Sequence, residues 1–465
     1  MQLKGTTKIE LTDVNTGEVE VYEDHNIVTN VLNDIFRPIG LSKMPSRLFK
    51  DFIPYYKTLL GGILCFDVPI EENPDNYYPP VDANLIGCAS YGVQNNTTNT
   101  CRGGFNQTES EVNLEDGYVK YVYDFGTSQA NGTIASVCLT HKNAGYTGYG
   151  YKNATYMSDL PLMIYLTDET LQYVMTSFTG ANTSSRFSGM TVGVSEMIFL
   201  IEREKDCVYY FKVVDKNHIN ITKRKAYLSS LSILDNVYYT KPLIEEIELE
   251  ELGTDLTNGY YAYNYDHATD CLYICTCPSY YVATDGSILV TQIKMDTWEI
   301  SQYVVKNTSR VKLDAGSNNG FFVAEGFLYV KGYSSPYDLY KFEITNPANV
   351  VEFSRINTSE VYAWPKVAIN GRIYYENGDG QLLIANTKTN ELITPESRTL
   401  FNYGTNLSVT PLRNEPLMYY VDKGQAASFK WYMMCNYLAT INNLDTPVTK
   451  TADKTMKITY IIQEQ

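Results

Sequence analysis

A short phrase, an apolar residue followed by tyrosine or a β-branched residue, recurs along the second half of this chain. It stands as LYI at 272, LYV at 328, IYY at 373 and MYY at 418, in steps of 56, 45 and 45 residues. After each copy come a turn bearing Gly or Pro and a second alternating stretch, as in SILVTQIKMDTWEI and DLYKFEITNPANVV. A unit of about 40–50 residues that holds several strands and stacks on its neighbours is the pattern of a β-propeller blade. Upstream the phase is looser, with MIYL at 163, MIFLI at 197 and NVYY at 236 as further starts, so the expectation is six or seven blades over 156–435. An irregular β-sandwich with accidental spacing is the competing architecture.

Composition agrees with an all-β chain. There are 41 tyrosines against 3 tryptophans in 465 residues, and tyrosine is a strand former. Residues 3–11 alternate, with Leu3, Thr7, Ile9 and Leu11 towards one face, and Asn15-Thr-Gly17 supplies a turn. The return strand EVEVYED is expected to carry Val19 and Val21 inward. One short helix is expected next, capped by Asn26, carrying Ile27, Val31, Ile35 and Phe36, and ended by Pro38 and Gly40. Residues 118–140 read as a second hairpin, with Val119, Tyr121 and Tyr123 on one strand and Ile134, Ser136 and Cys138 on the other. The last stretch alternates again through Met456, Ile458 and Tyr460 and needs a partner sheet. These segments form a β-sandwich-like domain, residues 1–155 completed by 436–465.

The formal net charge of −16 opposes a sequence-independent grip on nucleic acid. No run of eighteen apolar residues marks a membrane span, and the polar start has no signal-peptide core. Nine scattered cysteines, an odd number, read as buried thiols made in a reducing compartment.

Catalytic chemistry is sparse. The four histidines, His25, His141, His218 and His267, show no metal spacing and no nucleophile motif. His267, Cys271, Cys275 and Cys277 share one parity, but a single strand spreads ligands too widely for a tetrahedral cage, so core thiols are expected. The acidic pairs Glu376/Asp379 and Asp266/Asp270 fall in turns, where acidic residues serve turn geometry; a propeller glycan hydrolase would need such a pair closely spaced and buried. MDTWEI reads as a turn. No cofactor is expected.

The turns 277–286 and 331–338 follow the same strand of successive repeats and so emerge at one end. They carry Tyr280, Tyr281, Tyr333 and Tyr337, the candidate ligand-binding residues, suited to a glycan or protein surface.

The phrases LKGTTKIELTDVNTGEVEVYEDHNIVTN, LLGGILCFD, RGGFNQTES, YVYDFGTSQANGTI and NYLATINNLDTPVTKTADKTMKITYII occur in that order. Together they resemble a family of tail-type minor structural proteins of phages and prophages of Gram-positive and gut bacteria. The resemblance covers about residues 1–150 and 436–465, and the family's middle segment varies. It implies a non-catalytic virion part made in the bacterial cytoplasm: a tail, baseplate or fibre component, or a capsid or neck fibre. Its partners would be other virion proteins, further copies of itself and a host-surface glycan or protein.

Overall fold

The computed structural model describes residues 3–31, 60–80, 83–95, 99–113, 115–141, 163–165, 196–202, 205, 207–225, 243–250, 252, 256–258, 260–315, 320–334, 337–356, 363–376, 382–394, 408–422, 429–434 and 437–464. The described elements are almost all strands. Two compact units emerge: 1–170 with 395–397 and 433–465, and 171–394 with 398–432.

The first unit is built on one ten-stranded sheet. Its order is Leu85–Ala89, Gly62–Phe66, Gly132–Thr140, Thr440–Lys450, Val19–Val28, Leu3–Asp13, Lys454–Glu464, Tyr118–Phe125, Gly104–Phe105, with Glu111–Asn113 also on Tyr118–Phe125. The two ends of this order meet. Cys88 N donates to Cys101 O (3.0 Å) and Gly103 N to Cys88 O (2.9 Å), around a parallel bridge between Cys88 and Arg102. The sheet thereby curls into a near-barrel.

Lys454–Glu464 lies between Leu3–Asp13 and Tyr118–Phe125, paired with the former from Leu3↔Glu464 to Asp13↔Lys454. The parity of this strand is as expected. Met456, Ile458, Tyr460 and Ile462 are buried, as are Thr7, Ile9 and Leu11 opposite. The Tyr460 hydroxyl donates to Thr440 Oγ1 (2.5 Å), which satisfies a polar tip in an apolar setting. Gly132–Thr140 is buried on both faces from Ile134 onward. Residues 67–80 supply cover, with Ser136 Oγ donating to Val68 O (2.8 Å) and Asn443 bonding both Ile70 N (2.8 Å) and Ile70 O (2.7 Å).

Three expectations are corrected here. Val19 and Val21 face outward, 51% and 50% exposed. The connecting loop holds four residues between Asp13 and Glu18, so odd positions pair with even ones: Ile9 meets Tyr22, and Val21 meets Glu10. Asn26 caps no helix, because the strand Val19–Val28 runs through it and pairs it with Gly5. Within the expected helix, helical geometry is described only at Val31, and 32–59 lie outside the described residues. Finally, Tyr118–Phe125 and Gly132–Thr140 do not pair with each other. Four strands separate them in the sheet, and each pairs with chain from a distant part of the sequence.

The second unit holds five successive antiparallel meanders among the described residues. The first is Glu196–Glu202, Cys207–Val213, Ile219–Lys225, Leu243–Leu249. The second is Tyr261–Asp266, Cys271–Thr276, Ser287–Lys294, Ile300–Lys306, and the third is Phe321–Ala324, Phe327–Lys331, Leu339–Glu343, Val350–Glu352. The fourth is Trp364–Ile369, Arg372–Glu376, Leu382–Asn386, Glu391–Ile393, edged by Ser354–Arg355; the fifth contains Ser408–Leu412, Glu415–Asp422 and Phe429–Met434. Each copy of the recurring phrase lies in the second strand of its meander.

In the first four meanders that strand is buried on both faces, which is why it reads as a continuous apolar run rather than an alternating one. Cys271, Tyr273 and Cys275 join a core with Phe321, Val323, Leu328 and Val330 of the third meander. Leu272 and Ile274 join a different core with Phe199, Tyr209 and Phe211 of the first. Phe322 and Tyr329 pack with Ile373 and Tyr375 of the fourth. The first four meanders thus stack face to face in chain order.

Their first strands also neighbour one another in a closed order, first to second through fifth and back to first. Ile201 pairs in parallel with Leu412, and Arg413 N donates to Ile201 O (2.7 Å), joining the fifth to the first. The Asn264 amide brackets Val323, taking its N–H (2.9 Å) and donating to its carbonyl (2.7 Å), joining the second to the third. This arrangement is compatible with a propeller.

Candidate functional site

The turns after the second strands of the second and third meanders are brought together by the chain between those meanders. Tyr281–Val282 pairs with Leu313–Asp314, and Leu313 bridges Gly332. Tyr333 N donates to Lys312 O (2.8 Å), and Ala315 N to Tyr280 O (3.0 Å). Residues 312–315 therefore act as a spacer strip stitched to both turns.

Three of the four candidate tyrosines converge on it. Ring centroids lie 4.9 Å apart for Tyr280 and Tyr281, 5.6 Å for Tyr280 and Tyr333, and 5.4 Å for Tyr281 and Tyr333. The Lys312 ammonium sits 4.5 Å from the Tyr281 ring centroid, within cation–π range. Tyr280 and Tyr333 remain 45% and 37% exposed, and Tyr281 is half-buried. The hydrogen bond it shares with Tyr280 raises the Tyr333 phenol above its ordinary range. Tyr337 departs from the group. Its backbone is left-handed (φ 54°) and its ring packs against the core between the third and fourth meanders.

Beside the tyrosines lies a charged flank. Lys331, only 5% exposed, pairs with Asp314 (3.1 Å) and lies 4.9 Å from the Trp364 ring centroid. Arg355 bonds Asp338. The site offers apolar ring faces, phenol hydroxyls and one cation over a ring, which is the chemistry of sugar or peptide recognition.

The turn carboxylates serve structure. Asp266 is buried, accepts from Thr269 Oγ1 (2.9 Å), Ala268 N (3.3 Å) and Glu325 N (3.3 Å), and burial raises its carboxyl above the usual range. Asp270 is held by Arg413, which donates from Nε (3.0 Å) and Nη2 (2.5 Å), and by the Tyr265 hydroxyl (2.6 Å). Asp296, in the MDTWEI turn with φ 67°, takes two further bonds from Arg413 (2.9 and 2.8 Å) and is held below its ordinary range by them. Glu202, 1% exposed, accepts from Tyr209 (2.7 Å) and pairs with Lys205 (2.8 Å), with Arg413 at 3.9 Å. Sequence reasoning missed this arginine-centred knot, since a lone Arg in a turn carries no motif. Asp379 and the side chain of Glu376 lie outside the described residues.

Cys271, Cys275 and Cys277 are buried together in one core, as their parity requires. His267 stacks edge-on against Tyr265, and burial pushes its imidazole down to about 4. Among the described residues, the ligand atoms of His218, Glu248 and Glu250 lie within 4.8 Å of one another, and the two glutamates are exposed. No helix among the described residues is long and apolar enough to cross a membrane.

No family model and no curated protein matches the chain. Among solved structures, a structural genomics protein of unknown function from Bacteroides thetaiotaomicron aligns at 13% identity with a TM-score of 0.29. The alignment spans 50% of this chain and 58% of that one.

Proposed function

We propose that this chain is a structural component of a bacteriophage particle, of the tail, baseplate or fibre type. In this reading its first unit docks on neighbouring virion proteins. Its second unit is a five-bladed propeller, rather than one of six or seven blades, that meets a glycan or protein on the host surface. The supporting observations are the ordered phrases resembling phage structural proteins, the face-to-face stacking of the first four meanders and the closed order of the first strands of all five. The observation that carries the binding role is the convergence of Tyr280, Tyr281 and Tyr333 on one spacer strip, with two of the rings substantially exposed. Clustered aromatics at the surface cost solvation unless a partner covers them, and tyrosine is enriched among residues that dominate binding.

The role is non-catalytic in this reading, because Asp266, Asp270 and Asp296 are engaged by backbone, hydroxyl and arginine partners.

Replacing Tyr280 and Tyr333 by Ala removes contact area with little loss of core. Each truncation at a binding hot spot costs about 2 kcal/mol or more, so adsorption of particles carrying the double variant should weaken at least about tenfold per residue. Stability should move by less than about 1 kcal/mol. The measurement pairs an adsorption assay with a thermal melt of the purified protein. Normal adsorption would refute the tyrosine site, and release of reducing ends from host polysaccharide by the purified protein would favour a hydrolase instead.

A further inference from the structure

The first unit's sheet is thinnest where it closes. Elsewhere its strands share ladders of up to eleven register pairs, whereas Leu85–Ala89 meets 101–103 through one bridge and two backbone hydrogen bonds at Cys88. At that seam the sulfurs of Cys88 and Cys101 lie 3.7 Å apart. Both residues are buried in the same core, at 0% and 2% exposure.

We propose that Cys88 and Cys101 are a disulfide site that locks the barrel seam when the protein meets a disulfide oxidant such as oxidised glutathione. Backbone groups already bonded between the two residues put their Cα atoms in the range a disulfide spans, and a side-chain rotation brings the sulfurs together. Among the described residues, two other thiols of this unit are placed against it. Cys138 and Cys88 both stand opposite Leu64 in the ladders, one on each side, so Cys138 shares the face of Cys88 but lies two strands away. Cys65, next along from Leu64, points to the opposite face.

The chemistry balances as two exchanges. One cysteine thiolate attacks the glutathione disulfide, forming a mixed disulfide and releasing one glutathione. The neighbouring thiolate then attacks the protein-bound sulfur, closing Cys88–Cys101 and expelling the second glutathione. The two protons given up by the cysteines end on the two glutathione thiols. The hydrogen-bonding contact with Cys101, and then burial, raise the Cys88 thiol well above its ordinary range, so exchange in the folded protein is slow and quickens with pH.

The test uses full-length protein refolded from denaturant in a glutathione redox buffer at mildly alkaline pH, where access is not limiting. Thiols titrated after denaturation should fall from nine to seven. Cleavage after Tyr91 should leave two fragments joined until a reductant is added. The oxidised first unit should melt about 6–12 °C above the reduced one, from the loop-closure effect of a short crosslinked segment. Cys65→Ser should still lose two thiols, while Cys88→Ser and Cys101→Ser should lose none. Nine remaining thiols, or a bond mapping to any other pair, would overturn the assignment.

Discussion

Deleting residues 451–465 should leave the first unit unable to fold, giving a protein that loses one cooperative transition and is cleaved readily within 1–140. The deleted strand is interior to the sheet, hydrogen-bonded on one side to Leu3–Asp13 and on the other to Tyr118–Phe125. Four of its side chains, Met456, Ile458, Tyr460 and Ile462, are at most 2% exposed. At about 1.5–3 kcal/mol for each fully buried side chain, their loss removes roughly 6–12 kcal/mol. That is comparable to the whole stability of a typical domain, about 5–15 kcal/mol. The deletion also exposes two strand edges, so aggregation should accompany the lost transition. Circular dichroism with limited proteolysis reads this out; an unchanged melt would mean that the strand is an appendage.

Arg413→Met should lower the transition of the second unit by about 4–10 °C. The arginine makes four hydrogen bonds to Asp270 and Asp296, carried by turns of the second meander, from its own place after the inner strand of the fifth. Removing one partner of a buried ion pair costs about 3–5 kcal/mol. Here the aspartates are 44% and 55% exposed on their side chains, and solvent screening reduces the figure to about 2–3 kcal/mol. Arg413→Lys should rescue little, since an ammonium cannot reproduce a fork that engages two carboxylates. Adding Asp270→Asn and Asp296→Asn to Arg413→Met should recover part of the loss, because the stranded charges are gone. An Arg413→Met protein that melts like the parent would show that the knot is a solvated surface pair.

The regular part of the second unit was legible because its second strands are buried on both faces, and such strands leave dense apolar phrases at a near-constant step. The copy in the first meander, VYYF at 208–211, escaped notice because 64 residues separate it from LYI at 272. Face parity was readable within a strand, as at Met456, Ile458 and Tyr460. It failed across the first hairpin, where one extra loop residue exchanged the faces of Val19 and Val21. The expected pairing of 118–125 with 132–140 failed for a different reason. Alternation identifies a strand but not its neighbour, and here strands from both chain ends insert between two segments adjacent in sequence.

The candidate site divides in the same way. Equivalent strand positions placed Tyr280, Tyr281 and Tyr333 at one end. No local pattern announced that 312–315 would stitch the two turns together, or that Tyr337, in a left-handed conformation, would turn to the next core.

Electron microscopy of the intact phage particle encoded with this chain tests the central proposal most directly. Density for the near-barrel unit should be embedded among other virion proteins, with the five-meander unit and its Tyr280–Tyr281–Tyr333 surface facing the host side. A purified, infectious particle in which the protein is absent, or in which that tyrosine surface is buried against another virion protein, would contradict it.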